Sequence, residues 1–144
     1  MTTNETRIAD IQAIKRLNAS YNFAIDDADA EAWAACFTAD GVFNALIEGE
    51  KPRGTAALQR FVKTVTDAFG QMHHFTTNEI IDFDIGGDTA RQKCYLQFFY
   101  KKNGRIEGAI CVYEDWLARE NGGWKYSRRD VALKNKFVEF TEVA

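Results

Sequence analysis

"ARQKCYLQFFYKKNGR", residues 90–105, sets the architecture. Ala90, Cys94, Leu96, Phe98 and Tyr100 share one parity, and Arg91, Lys93, Tyr95, Gln97 and Phe99 the other. Successive side chains of an extended chain point to opposite faces, so this period of two predicts a strand with one apolar and one mixed face. A sheet built from such strands is packed on one side only. The glycine-bearing turns "IGGD" (85–88), "KNGR" (102–105) and "ENGG" (120–123) divide the chain after Gly70 into four long strands, an antiparallel meander.

Upstream the period lengthens. Ile8, Ile11, Ile14, Leu17, Tyr21 and Ile25 recur at threes and fours and predict a long amphipathic helix ending near "DDAD" (26–29). Asp29 is suited to cap a second, shorter helix with Trp33 and Phe37 one turn apart, stopped by "TADG" (38–41). A short extended piece, "VFNALIEG" (42–49), and a turn, "KPRGT" (51–55), precede a third helix marked by Leu58, Phe61, Val62, Val65 and Phe69 and ended by Gly70. Helices first and an antiparallel meander last make the chain α+β, a single domain over 1–144, with three N-terminal helices laid on a curved, mainly antiparallel sheet. Such a sheet, bent around helices, leaves a conical space that is the natural pocket.

The 144 residues are enough to bury about 70% of the unfolded surface without a metal or disulfide staple. Aromatic residues reach 13%, generous for so small a core, so some rings are expected to line a cavity or an interface. A net charge of -3 offers no positive field for nucleic acid or anionic lipid. The three cysteines, Cys36, Cys94 and Cys111, lie in apolar segments without CxxC spacing, as reduced structural thiols do. "MTTNETRIAD" lacks a basic start and an apolar run, and no apolar stretch approaches the length of a membrane span. A cytoplasmic protein is expected.

The segment "AIKRLNASYNFAIDDADAEAWAACFTADGVF" (13–43) carries Tyr21, Asp26, Asp29, Trp33, Phe37 and Asp40 in a spaced pattern, followed later by "HHFTTNEI" (73–80) and "GGWKYSRRDVALKNKF" (122–137). In these pieces the chain resembles the SnoaL-like family of the nuclear transport factor two-like superfamily, and the resemblance implies a cone-shaped α+β barrel. Within it the nearest look is to the scytalone dehydratase, bile acid dehydratase and hexachlorocyclohexane dehydrochlorinase group. That group pairs an Asp at the end of the first helix with a His at a strand start. The resemblance places Asp26 and His74 in those roles, with Tyr21 matching a tyrosine of bile acid dehydratase and Lys134 standing where the group often has an arginine. An ammonium cannot reproduce a guanidinium's planar pair of hydrogen bonds. Phe98 stands where bile acid dehydratase carries an Asp.

The chemistry of that pair is coherent. Elimination beside an acidic carbon needs a base that is neutral near pH 7, and imidazole is one. A carboxylate accepting from one ring nitrogen fixes the tautomer, frees the other nitrogen and favours the imidazolium formed as the proton is taken. On a strand His73 and His74 face opposite ways, so one of them at most enters the pocket. The same parity, and the lack of HxH or HxxxH spacing, argues against a metal, and no cofactor is expected. "DDAD" is also good helix-end chemistry, to which Asp27 and Asp29 are assigned. Lys134 shares the parity of Trp124 and Tyr126 while the neighbouring aliphatics oppose it, a conflict that a bulge would explain.

The expected activity is a cofactor-independent lyase or isomerase, a dehydratase-type proton abstraction by Asp26, His74, Tyr21 and Lys134 on a small, hydrophobic, cyclic or polycyclic substrate. Trp33, Phe43, Phe98 and Val112 are the expected apolar lining. The alternative is a non-catalytic domain of the same fold that binds a hydrophobic ligand or serves assembly, because fold alone licenses no reaction. A steroid isomerase of the superfamily would want a carboxylate where Ala45 stands, and an epoxide hydrolase an Asp, Arg, Asp set not assembled here. Tyr95 and Phe99, on the mixed face of their strand, point to a homodimer or larger homo-oligomer.

Overall fold

The structure is a computed structural model that describes residues 3–47 and 49–136, and the backbone of 140 and 141. Helix α1 (Thr3–Asp26), α2 (Ala30–Ala34) and strand β1 (Phe37–Asn44) are followed by α3 (Thr55–Phe69). Strands β2 (Gln71–Phe83), β3 (Thr89–Lys102), β4 (Arg105–Glu120), β5 (Gly123–Lys136) and the short β6 (Phe140–Thr141) complete the chain. The strands form one sheet in the order β1-β5-β4-β3-β2, with β6 pairing β4. Among the described strands only β1 runs parallel to its neighbour.

The four-strand meander follows the predicted turns. Asn103 and Gly104, and Asn121 and Gly122, adopt positive φ at both central positions, the geometry whose twist matches paired strands. The sheet is curved but not closed: β1 and β2 are its edge strands, β1 carrying one isolated bridge from Val42 to Arg53, and the helices pack on the sheet. The second helix is shorter than the sequence predicts. It ends at Ala34, and Phe37 opens β1 opposite Tyr126, because parallel pairing with β5 draws "FTADGVFN" into the sheet with an irregularity between Phe37 and Val42. Gly70 stops α3 at φ 74, where an added Cβ would collide with the Lys101 carbonyl oxygen.

Two bulges decide which β5 residues face inward. The register slips between Trp116 and Leu117 of β4, where Ser127 is the extra residue, and again between Ile110 and Cys111, where Lys134 is extra. Inward parity therefore passes from Trp124 and Tyr126 to Arg129 and Val131. Seven rings, those of Tyr21, Trp33, Phe37, Phe43, Phe61, Tyr113 and Tyr126, form the heart of the core with centroids 5.1 to 6.5 Å apart, within the range of favourable edge and offset contacts.

Candidate active site

Asp26 is the last residue of α1, and His74 lies near the start of the edge strand β2. Helix and strand pack so that Asp26 Oδ1 meets His74 Nδ1 at 2.5 Å while Asp26 Oδ2 accepts the His74 backbone N–H at 3.0 Å. A carboxylate at a helix C-terminus stands at the negative end of the macrodipole, and two donors from one residue offset that penalty. Both side chains are largely withdrawn from solvent, with 8% of His74 and 15% of Asp26 exposed. Donation from Nδ1 to the carboxylate leaves Nε2 as the free acceptor, on the side of the ring away from Asp26.

His74 is a partition between two spaces. On the Asp26 side runs an open groove of about 390 Å³ between α1 and β2, lined in part by Asn22, Phe23, His73, Phe75 and Thr76. On the other side lies a cavity of about 50 Å³ inside the cone, walled by Phe43, Phe61, Phe69, Leu96, Phe98, Tyr113 and Val131, with Leu46 and Ile47 at its edge. The Phe98 ring packs on the imidazole with centroids 4.6 Å apart. Among the described residues, the Tyr113 phenol is the one polar side chain besides His74 that lines the cavity. So small a space lies well below the about 300 Å³ of the smaller ligand pockets. His73 is exposed and His74 turned inward, the alternation expected of a strand.

The other sequence-predicted residues divide. Phe43 and Phe98 line the cavity. Tyr21 and Trp33 do not: both are buried in the aromatic core behind it, and burial pushes the Tyr21 hydroxyl above its ordinary value while the Arg129 charge acts the other way. Val112 pairs with Tyr95 and belongs to the outer face of the sheet, because inward parity on β4 falls to Cys111, Tyr113 and Asp115. Lys134, the bulged residue, is exposed beside Tyr95 and Val112 on that same outer face and is not brought to His74.

The buried cation of this fold is Arg129, which the sequence reading missed. Its guanidinium pairs with Asp115 at 2.7 and 2.9 Å and lies 3.8, 4.0 and 4.4 Å from the ring centroids of Tyr113, Tyr126 and Tyr21. Burial works against that charge, but Asp115 and the tyrosines hold Arg129 well above its ordinary value. Asp115 also accepts from Gln92, which exchanges two hydrogen bonds with Asn18. The signal was the parity of Arg129 with Val131. Among the described residues no group of three or more His, Cys, Asp or Glu is arranged to hold a metal ion, and no helix is long and apolar enough to cross a membrane.

Comparison with known proteins places this geometry in context. The profile of the SnoaL-like domain matches residues 6–130. Among solved structures, a variant of a function-unknown protein from Mycobacterium tuberculosis is 26% identical, over 93% of this chain and 77% of that one, with a TM-score of 0.83. A scytalone-dehydratase-like protein from Novosphingobium aromaticivorans is 20% identical over 99% and 93%, with a TM-score of 0.81. A type 2 hexachlorocyclohexane dehydrochlorinase is 16% identical over 98% and 95%, with a TM-score of 0.84. At these last two identities the likeness is one of fold. Comparison with curated protein sequences finds no match.

Proposed function

We propose, on the premise that this chain belongs to the SnoaL-like domain family, that it is a cofactor-independent lyase of dehydratase type. His74 takes a proton from a small, uncharged, largely apolar cyclic substrate held in the cone. The observation that carries this reading is the 2.5 Å contact between Asp26 and His74 at the wall of an apolar cavity.

In this mechanism the ring nitrogen facing the cavity is the base, and the Asp26 carboxylate holds the Nδ1 tautomer and stabilises the imidazolium formed; the C–H electron pair becomes the new double bond, and the β-hydroxyl leaves as water by taking the proton back from that imidazolium. A positioned base contributes about 10²- to 10⁴-fold. The remaining acceleration comes from orientation by the aromatic walls and from exclusion of water. Among the described residues the cavity wall is apolar apart from His74 and Tyr113, which supports a neutral substrate over a carboxylate or phosphate. The dehydratase-like and dehydrochlorinase neighbours support an elimination. The three buried thiols support a reducing, cytoplasmic setting.

A second reading, a hydrophobic-ligand carrier of the same fold, draws on Lys134 facing outward and Phe98 being apolar, which leaves the imidazole without a second charged partner. One experiment separates the two. Small cyclic ketones and β-hydroxy ketones are incubated in deuterium oxide and exchange of the acidic hydrogen is followed by NMR; the lyase reading expects exchange in the wild type and its loss, by about 10²-fold or more, in His74→Ala. Exchange that persists undiminished in His74→Ala rejects the mechanism.

A further inference from the structure

Helix α1 meets the sheet through a regular series of polar contacts. Asn18, Asn22 and Asp26 stand four residues apart on one face and reach Gln92, Thr76 and His74 respectively. The last two contacts run along one strand in opposite sense: four residues back on the helix correspond to two residues forward on β2. The steps are commensurate. Four residues of helix rise about 6 Å and two of strand about 6.7 Å, so a bond at one rung fixes the register of the next.

The middle rung is the one with no structural excuse. Asn18 has both ends of its amide bonded, through Gln92 and the Tyr126 hydroxyl. Asn22 is 7% exposed and gives a single hydrogen bond, Nδ2 to Thr76 Oγ1 at 3.1 Å, while its Oδ1 is buried without a partner. A buried amide with one unsatisfied oxygen in a helix interior is costly, and an aliphatic residue would fill the position more stably. What Asn22 provides is a buried tie from α1 to β2 one turn before Asp26, whereas the other side-chain tie on this seam, Lys15 to Glu79 at 4.0 Å, lies three turns away and half-exposed.

We infer that Asn22 is a positioning residue for the Asp26–His74 pair, acting through Thr76. The tie holds the end of α1 at the height and rotation where one carboxylate reaches both the ring and the backbone N–H of His74. Without it Asp26 keeps its chain position but loses the constraint that lets both oxygens be used together. The inference rests on the proposed role of that pair, yet its test needs no substrate.

The test is NMR on the full-length, ¹⁵N-labelled chain in Thr76→Val, Thr76→Ser and Asn22→Ala. The first removes the acceptor oxygen at nearly constant volume, and the second keeps it. Expected in Thr76→Val and Asn22→Ala are faster exchange of the His74 amide, by about tenfold, the scale of one lost hydrogen bond, and a mixed-tautomer ring ¹⁵N pattern. Amides of β4 should stay protected, and Thr76→Ser should match the wild type. An unchanged His74 amide and ring in Thr76→Val overturns the inference, whether or not Asn22→Ala folds. Activity in His74→Ala would overturn the lyase reading and leave this result standing; loss of activity there with an unperturbed His74 in Thr76→Val would remove the positioning role alone.

Discussion

Arg129 and Asp115 face each other across β5 and β4 and form a two-pronged ion pair, both side chains wholly without solvent exposure. Three tyrosine rings surround the cation and a glutamine bonds the anion, so the pair is the rigid floor on which Tyr113 and the cavity rest.

Removing one member leaves a charge buried alone, and removing both does not. Asp115→Ala is expected to cost about 3–5 kcal/mol, read from urea unfolding. The double replacement Asp115→Leu with Arg129→Met is expected to lose less than that single change. Strictly additive losses in the double-mutant cycle would show that the pair is not coupled.

The fold is expected to weaken in alkali. Burial pushes the Cys94 thiol up to about 12 and those of Cys36 and Cys111 to about 11, from an ordinary 9.0, and raises Tyr21, Tyr113 and Tyr126 as well. Groups raised in the folded state contribute stability that is complete below the unfolded value and lost as pH climbs through the folded one. Thermal midpoints should therefore hold up to pH 9.0 and decline toward 12, with the three thiols unreactive to iodoacetamide at pH 8 until the protein is denatured. Rapid native alkylation would contradict the burial argument.

The outer sheet face carries exposed Tyr95 in a trough that also holds Ile110, Val112 and Lys134. We propose that a second copy covers it. Light scattering at micromolar concentration should give a dimer or larger, and Tyr95→Glu should shift it toward the single chain. Lys134→Ala should leave proton exchange unchanged, because its ammonium lies on the far side of the sheet from His74. A single-chain mass for the wild type would remove the assembly.

Much of this was legible in the residues. Alternation in 90–100 and the paired Asn-Gly turns specified the meander, because side-chain direction in a strand and positive φ in a tight turn are local properties. Parity put His73 and His74 on opposite faces, while the resemblance singled out His74. Local rules could not say that Phe37 would leave a helix for a parallel edge pairing, since that preference exists only when β5 is beside it. Nor could they count the residues absorbed by two bulges, so the parity of Lys134, a candidate by resemblance, stays in conflict in the sequence, and Arg129, five positions earlier, is not marked there as the buried cation. The meeting of Asp26 with His74, 48 positions apart, is likewise a product of packing. The sequence by itself determined the meander strands, the turns between them and the helix stripes, whose causes lie within a few neighbours. The tertiary structure decided which groups share a space, because register slips and helix docking are settled by contacts between segments distant along the chain.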